Sequence, residues 1–157
     1  MTTKIKILVG ILVVIIIIAG GWWGWGKLAP TISTDKTEYD EGEKIQISVS
    51  SKKTIYYLPL TEFGLTLQKI NEDGMLIEIP FNSIDYANCV GILFEPPSCG
   101  ISSPRDIWDQ NIIECKNGKA ETKKALLGKY RFVFSYWEDD CYGSKKRIIS
   151  SNEFTIK

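Results

Sequence analysis

The sequence predicts an all-β domain, an antiparallel β-sandwich, preceded by one N-terminal transmembrane helix. Three observations predict it: an uncharged apolar run from Ile7 to Gly26, a succession of short stretches with strand periodicity separated by turn residues, and four cysteines that all follow the run. At 157 residues the chain has room for an anchor and one domain of ordinary size, since domains usually run ~100–150 residues.

The run reads ILVGILVVIIIIAGGWWGWG, 20 residues without a charge. At ~1.5 Å per residue it reaches ~30 Å, the thickness of a bilayer hydrocarbon core. Lys4 and Lys6 stand before it with no acidic residue. The positive-inside rule therefore makes residues 1–6 a cytoplasmic basic tag and puts everything after Gly26 outside. Trp22, Trp23 and Trp25 close the run, where amphipathic rings favour the headgroup region. Lys4, Lys6 and these three Trp are the expected membrane-interface residues, and lipid is the expected partner of residues 7–26.

Two other accounts compete. A buried core helix is disfavoured at an extreme terminus, apolar all round and flanked by Lys. A cleaved secretory signal has more in its favour, because Ala19-Gly20-Gly21 supplies the small residues of a cleavage site. The Trp cluster extends the apolar length beyond an ordinary signal and favours an uncleaved signal anchor. No Cys follows the run as a lipoprotein signal needs, and the early acidic residue of a pilin-like stem is missing.

Residues 27–30 form a short linker to a domain over 31–157. Of the 19 basic residues, Lys4 and Lys6 precede the run, which leaves 17 in the exported part against all 19 acidic ones. The domain is mildly acidic, without the basic footprint that nucleic acid requires. The chain has no His, which excludes His-dependent general bases, Ser-His and Cys-His nucleophiles and His metal ligands.

Cys89, Cys99, Cys115 and Cys141 are an even count in an exported domain, so two disulfides are expected among three possible pairings. The pairing expected is Cys89–Cys99, closing a local loop around Pro96-Pro97, with Cys115–Cys141 joining two late segments. A tetrathiolate zinc site is disfavoured, because the spacings contain no Cys-x-x-Cys pair.

The elements follow in order. Thr31-Ile32-Ser33-Thr34 suggests a short edge strand opened by Pro30, and Asp40-Glu41-Gly42-Glu43 marks a turn. Lys44 to Ser50 alternates apolar and polar residues for seven positions, as a half-buried strand requires. Thr54 to Leu60 is rich in Ile, Tyr and Leu, and Pro59 confines it to an edge or a strand end. Gly64 to Ile70 and Met75 to Ile79 flank Asn71-Glu72-Asp73-Gly74 as a hairpin.

Pro80 to Arg105 reads as a long stapled loop with at most one short strand, and no soluble helix is expected. Ile107 to Cys115 is a strand candidate before the Asn117-Gly118 turn, and Lys123 to Leu127 leads into Gly128. Tyr130, Phe132, Phe134 and Tyr136 then alternate with Arg131, Val133, Ser135 and Trp137 along one long aromatic strand. Arg147 to Ser150 and Glu153 to Ile156 complete the last pair. Seven or more short strands argue for an antiparallel sandwich, with a β-barrel as the alternative.

Ser33-Thr34-Asp35-Lys36-Thr37-Glu38-Tyr39, then Gly42-Glu43-Lys44-Ile45 and an alternating strand, resembles the opening of bacterial and archaeal Ig-like surface domains. Gly128-Lys129-Tyr130-Arg131-Phe132 and the closing Ser151 to Ile156 look like that family's final hairpin. The resemblance covers roughly residues 31–70 and 125–157 and leaves the cysteine-containing middle unmatched. It implies an Ig-like sandwich, structural roles for Tyr39 and Tyr130, turns permitted by Gly42 and Gly128, and an adhesion, spacer or binding role without catalysis.

Chemical sites are scarce. Glu138-Asp139-Asp140 gathers three carboxylates, yet lacks the alternating spacing of an EF-hand loop and reads as a solvated tip. Glu72-Asp73 has less support. Ser144 beside Lys145-Lys146 reads as an exposed basic hairpin. Tyr56, Tyr57, Trp108 and Trp137 could line a carbohydrate or peptide surface, but strand aromatics are more often core or cross-strand partners. No catalytic residue, metal or cofactor is expected. The expected function is a membrane-anchored, extracytoplasmic binding or adhesion module for a protein or envelope component, contacting it through an unpaired edge strand or the middle loop. The alternative is a secreted inhibitor or accessory subunit, cleaved near Gly21, that uses a Cys89–Cys99 loop.

Overall fold

A computed structural model describes residues 29–58, 64–91, 98–101 and 104–157. The expected transmembrane segment, with Lys4, Lys6, Trp22, Trp23 and Trp25, lies outside these residues. Among the described residues no helix is long and apolar enough to cross a membrane.

The described residues are all-β apart from one short helix. In order they form β1 (Thr31–Thr34), β2 (Glu38–Tyr39), β3 (Ile45–Ser50), β4 (Tyr56–Tyr57), β5 (Leu65–Ile70) and β6 (Leu76–Ile79). Then come α1 (Ser83–Val90), β7 (Gly100–Ile101), β8 (Arg105–Trp108), β9 (Asn111–Lys116), β10 (Lys119–Lys124), β11 (Gly128–Trp137), β12 (Lys146–Ser150) and β13 (Phe154–Ile156). β1, β3 and β8 make a three-stranded sheet, β9 and β10 a separate hairpin, and the other eight strands one large sheet.

The large sheet is organised by β11. One of its edges pairs with β5, from Lys129↔Ile70 to Phe134↔Leu65, and then with β4 at Tyr136↔Tyr57. The other pairs with β13 at Tyr130↔Phe154 and with β12 at Val133↔Ser150. Between β12 and β13 the ladder is carried by Ser151, whose N–H donates to Phe132 O (2.8 Å) while its Oγ accepts from Phe132 N (3.0 Å). The hydroxyl thus stands in for a backbone acceptor where the partner strand breaks.

Alternation along β11 buries Tyr130, Phe132, Phe134 and Tyr136 on one face. β3 answers with Ile45, Ile47 and Val49, and β8 with Trp108. These residues form one apolar cluster fed by both sheets. The Trp108 ring meets Phe132 edge-on at 5.5 Å between centroids and Phe81 at 5.9 Å, while Phe132 stacks on Phe154 at 5.2 Å. Each such side chain removed from water contributes roughly 1.5–3 kcal/mol, and each aromatic pair ~0.5–1.5 kcal/mol more. The indole N–H of Trp108, which would be costly to bury unpaired, donates to Asn111 O at 2.8 Å.

Three expectations need correction. The 80–105 segment contains a helix, α1, which a single turn-length motif starts. Asn82 accepts from Asp85 N at 3.0 Å and donates its own N–H to the Asp85 carboxylate at 3.2 Å, a reciprocal cap that satisfies otherwise orphaned amides. Eight residues carry too little apolar periodicity to announce a helix. The continuous strand expected over 107–115 is two strands, broken at Gln110, whose φ of 62° turns the chain out of the three-stranded sheet. β10 is a strand that was expected only as a lead into Gly128. Its sequence, KAETKK, is polar on both faces because it is mostly exposed.

The hairpin across residues 71–74 is as expected, closed by Gly74 N donating to Asn71 O (2.9 Å). Gly42 has φ 79°, a left-handed conformation open to glycine at little cost. Its N–H donates to the side chain of Gln110 at 2.7 Å. Gln110 is fully buried and also donates from Nε2 to Asp40 O and Glu43 O, both at 2.9 Å. One side chain therefore fixes the whole turn leading into β3.

Tyr39 and Tyr130 are both buried. The Tyr39 hydroxyl donates to Asp35 Oδ1 (2.7 Å) and accepts from Lys36 N (2.8 Å), and the Tyr130 hydroxyl donates to Leu126 O, four residues upstream. Burial, and for Tyr39 also the hydrogen bond to Asp35, pushes both phenols up to about 12.

Two outcomes test this account. Gln110→Ala removes the side-chain partner of Gly42 N, Asp40 O and Glu43 O, of which Asp40 O keeps the hydrogen bond from Glu43 N, and is expected to cost ~2–3 kcal/mol in urea unfolding. Glu121→Ala, on the exposed β10, is expected to stay within ~0.5 kcal/mol. The phenols give a pH dependence of definite sign. Their folded-state pKa lies above the unfolded value of ~10, so the neutral form is favoured by folding. That contribution is fully present below pH ~10 and lost as pH rises toward about 12. The urea midpoint should fall over this window, and two phenols should ionise only with unfolding when followed by ultraviolet absorbance. Ionisation of every Tyr near its ordinary pKa in the folded state would refute the assignment.

Candidate functional site

The cysteines define how the middle of the chain is held. The bonds are Cys89–Cys115 and Cys99–Cys141, with Cα separations of 5.5 and 5.8 Å. The expected pairing, Cys89–Cys99 with Cys115–Cys141, is therefore wrong. Cys89 lies in the last turn of α1, which packs against the β9–β10 hairpin and so meets Cys115 on β9. Cys99 immediately precedes β7, which pairs with β4 beside the end of β11, and this brings it to the loop carrying Cys141. Short sequence spacing favoured a local bond; the helix and the short β7 direct each cysteine elsewhere. With all four thiols oxidised, none is left as a zinc ligand.

The other predicted chemical residues fall mostly into structural roles. Trp108 and Trp137 are buried, Tyr56 and Tyr57 half-buried. The Tyr57 ring lies so close over Gly100 that a Cβ there would sit 2.6 Å from its Cζ. These four do not form an open aromatic strip. In the acidic loop, Asp139 accepts from Asp140 N (3.0 Å) and from Ser144 Oγ (3.2 Å), and Glu138 faces Arg147 at 3.4 Å. The Asp139 carboxylate is used within its own loop and Glu138 by β12, and no group of three or more metal-ligating side chains exists among the described residues. Glu114 is held down to about 2 by hydrogen bonds from Lys116 and Lys123 on the exposed β9–β10 hairpin, a poor proton donor at neutral pH.

What the fold does present is an edge. β6 pairs only with β5 among the described residues, leaving the backbone groups of its outer side without a ladder partner there. Its leading residues are apolar and open to solvent: Met75 is 60% exposed, Leu76 and Ile77 45% each. Ile79, at the far end, returns to the core. The adjoining turn, Asn71 to Gly74, faces Leu127 and Gly128 across an open groove of about 900 Å³. Leu126 and Leu127 are 68% and 56% exposed. Two apolar features, an unpaired strand and an exposed Leu pair, are thus brought to the same end of β11. The Met75-Leu76-Ile77 run could have been picked out in the sequence, since three consecutive apolar residues break the alternation that a half-buried strand shows.

No family model and no curated protein matches this chain.

Non-reducing peptide mapping should recover Cys89–Cys115 and Cys99–Cys141 peptides. Replacing either pair by Ala is expected to cost roughly 3–4 kcal/mol, by loop-closure entropy. Recovery of a Cys89–Cys99 peptide would overturn the pairing.

Proposed function

We propose that this chain is a membrane-anchored, extracytoplasmic binding module built on an Ig-like β-sandwich, without catalysis of its own. The observation that carries the reading is the switch of the first strand between sheets. β1 lies antiparallel on β3, and β2, four residues further on, runs parallel to β13 in the other sheet. β1, β3 and β8 then correspond to strands A, B and E of an immunoglobulin domain, and β13, β11, β5 and β6 to G, F, C and C′. Tyr130 supports the same reading, because a Tyr near the start of strand F whose hydroxyl bonds backbone a few residues upstream is the tyrosine corner of such domains. One departure is plain: the disulfides do not join β3 to β11, and Ile47, Phe132 and Trp108 there belong to the apolar core.

Two disulfides favour an oxidising compartment, and the apolar run behind Lys4 and Lys6 favours an uncleaved anchor that delivers the domain there. The contact surface is the β6 edge. An unpaired strand offers backbone donors and acceptors to a partner's extended segment, and Met75, Leu76 and Ile77 add apolar area beside it. The partner is a protein or envelope component. The Cys89–Cys99 loop that the secreted-inhibitor alternative would use does not form, because Cys89 and Cys99 are bonded elsewhere.

Alkaline carbonate extraction should leave the full chain in the membrane pellet, with its N-terminus at Met1 or Thr2. Release into the soluble fraction with a new N-terminus near Gly21 would sink the anchor. A photo-cross-linker at Leu76 should capture an envelope protein from intact cells, and Ile77→Lys should reduce that capture at least about tenfold, as loss of ~1.4 kcal/mol or more of contact implies, with no change in thermal midpoint. Equal capture from Leu76 and from Glu121 on the exposed β10 would remove the edge from consideration.

A further inference from the structure

A second groove lies at the opposite end of β11 from the β6 turn. It encloses about 480 Å³, and Ala29, Pro30, Lys53, Glu138, Lys145 and Arg147 are among its lining residues. The balance of charge is three cations to one carboxylate. Glu138 faces Arg147 at 3.4 Å, while the ammonium groups of Lys53 and Lys145 have no ion-pair partner among the described residues. This local excess stands against an exported part that is acidic as a whole, with 17 basic and 19 acidic residues once Lys4 and Lys6 are set aside.

The position of the groove gives the charge a meaning. Its walls include Ala29 and Pro30, and the uncharged run ends at Gly26. Four residues of fully extended chain span at most ~14 Å. A groove tethered that closely stays within about one or two Debye lengths of the bilayer surface at physiological salt. We infer that this groove is a docking site for anionic phospholipid headgroups, with Lys53, Lys145 and Arg147 facing the lipid phosphates. The inference rests on the anchored reading given above and adds an orientation to it. Tyr136, which also lines the groove, and Gly128, at the groove beside the β6 turn, lie eight residues apart on one strand. That separates the two ends by ~27 Å. Headgroup contact at one end holds the β6 edge away from the membrane, and the acidic remainder of the domain is repelled by the same surface.

The test uses the full chain in nanodiscs of phosphatidylcholine alone and of phosphatidylcholine with phosphatidylglycerol. Phosphatidylglycerol should shift the amide resonances of Lys53, Lys145 and Arg147, and a headgroup spin label should broaden Lys145 at least about fivefold more than Asp73, given the ~27 Å between the two ends. The combined variant Lys53→Gln, Lys145→Gln, Arg147→Gln should abolish the phosphatidylglycerol-dependent shifts. Identical spectra in the two lipids, or equal broadening at both ends, would overturn the inference, and the wild-type comparison decides even if the variant does not fold. Inorganic phosphate reproducing the shifts in phosphatidylcholine discs would also overturn it, by making free phosphate the ligand. A chain that does not incorporate into the discs at all refutes the anchor instead, an outcome readily told apart from an inserted chain that ignores lipid charge.

Discussion

The Trp108–Phe132 contact, edge to face at 5.5 Å, is the point on which the two larger sheets depend. Phe132 sits at the middle of β11, the strand that gives backbone partners to β4, β5, β12 and β13. Trp108 ends β8, which the three-stranded sheet holds through Ile45↔Trp108 and Gln46↔Ile107. Neither ring could occupy this place alone. Phe132 needs the alternation of β11 to face inward, and Trp108 needs the chain to turn sharply just after it so that its indole N–H can reach Asn111 O. The turn is made at Gln110, which requires a positive φ and is held by the 40–43 turn. A buried, hydrogen-bonded polar side chain thus sets the position of the largest ring in the core.

The same coupling decides what could be read from the sequence. β3 and β11 were legible because each buries one face, so that the period of two in the pleat is written directly in residues such as Ile45, Ile47 and Val49 or Tyr130, Phe132 and Phe134, while the β5–β6 hairpin was legible from its turn, Asn71 to Gly74. β10 left no such mark, since a strand exposed on both faces needs only a ladder partner. α1 was hidden for another reason. Its information lies in Asn82, Asp85 and Gly91, three cap residues, and Ala87 is fully buried between them. The disulfides depended on α1, and an error in the helix became an error in the pairing.

The β6 edge was legible in kind and not in place. Sequence reasoning could expect an unpaired strand, but which strand ends a sheet depends on where β11 finds its partners. Once β5 occupies one side of β11 from Lys129 to Phe134, β6 can only lie outside it. Its first three residues then have no core to face, because Ile79 is the residue that reaches it. Natural edge strands are commonly protected by charge or by Pro, and here Glu78 and the following Pro80 supply that at one end only. The unprotected end is Met75 to Ile77.

That asymmetry gives the chain a direction. With no His and every cysteine oxidised, the chain offers neither an imidazole nor a free thiol, and on the binding reading its specificity comes from shape, exposed backbone and fixed charge. The cationic groove lies near Ala29 and Pro30, and the β6 edge lies at the other end of β11. A tethered domain with both features at one end would have its adhesive edge compete with its own membrane for contact. Separating them along a ten-residue strand removes the competition, because a rigid ladder transmits orientation from the tethered end to the free one. On the anchored reading the length of β11 therefore serves two ends at once: it is the core's central strand, and it sets how far from the bilayer the β6 edge is held.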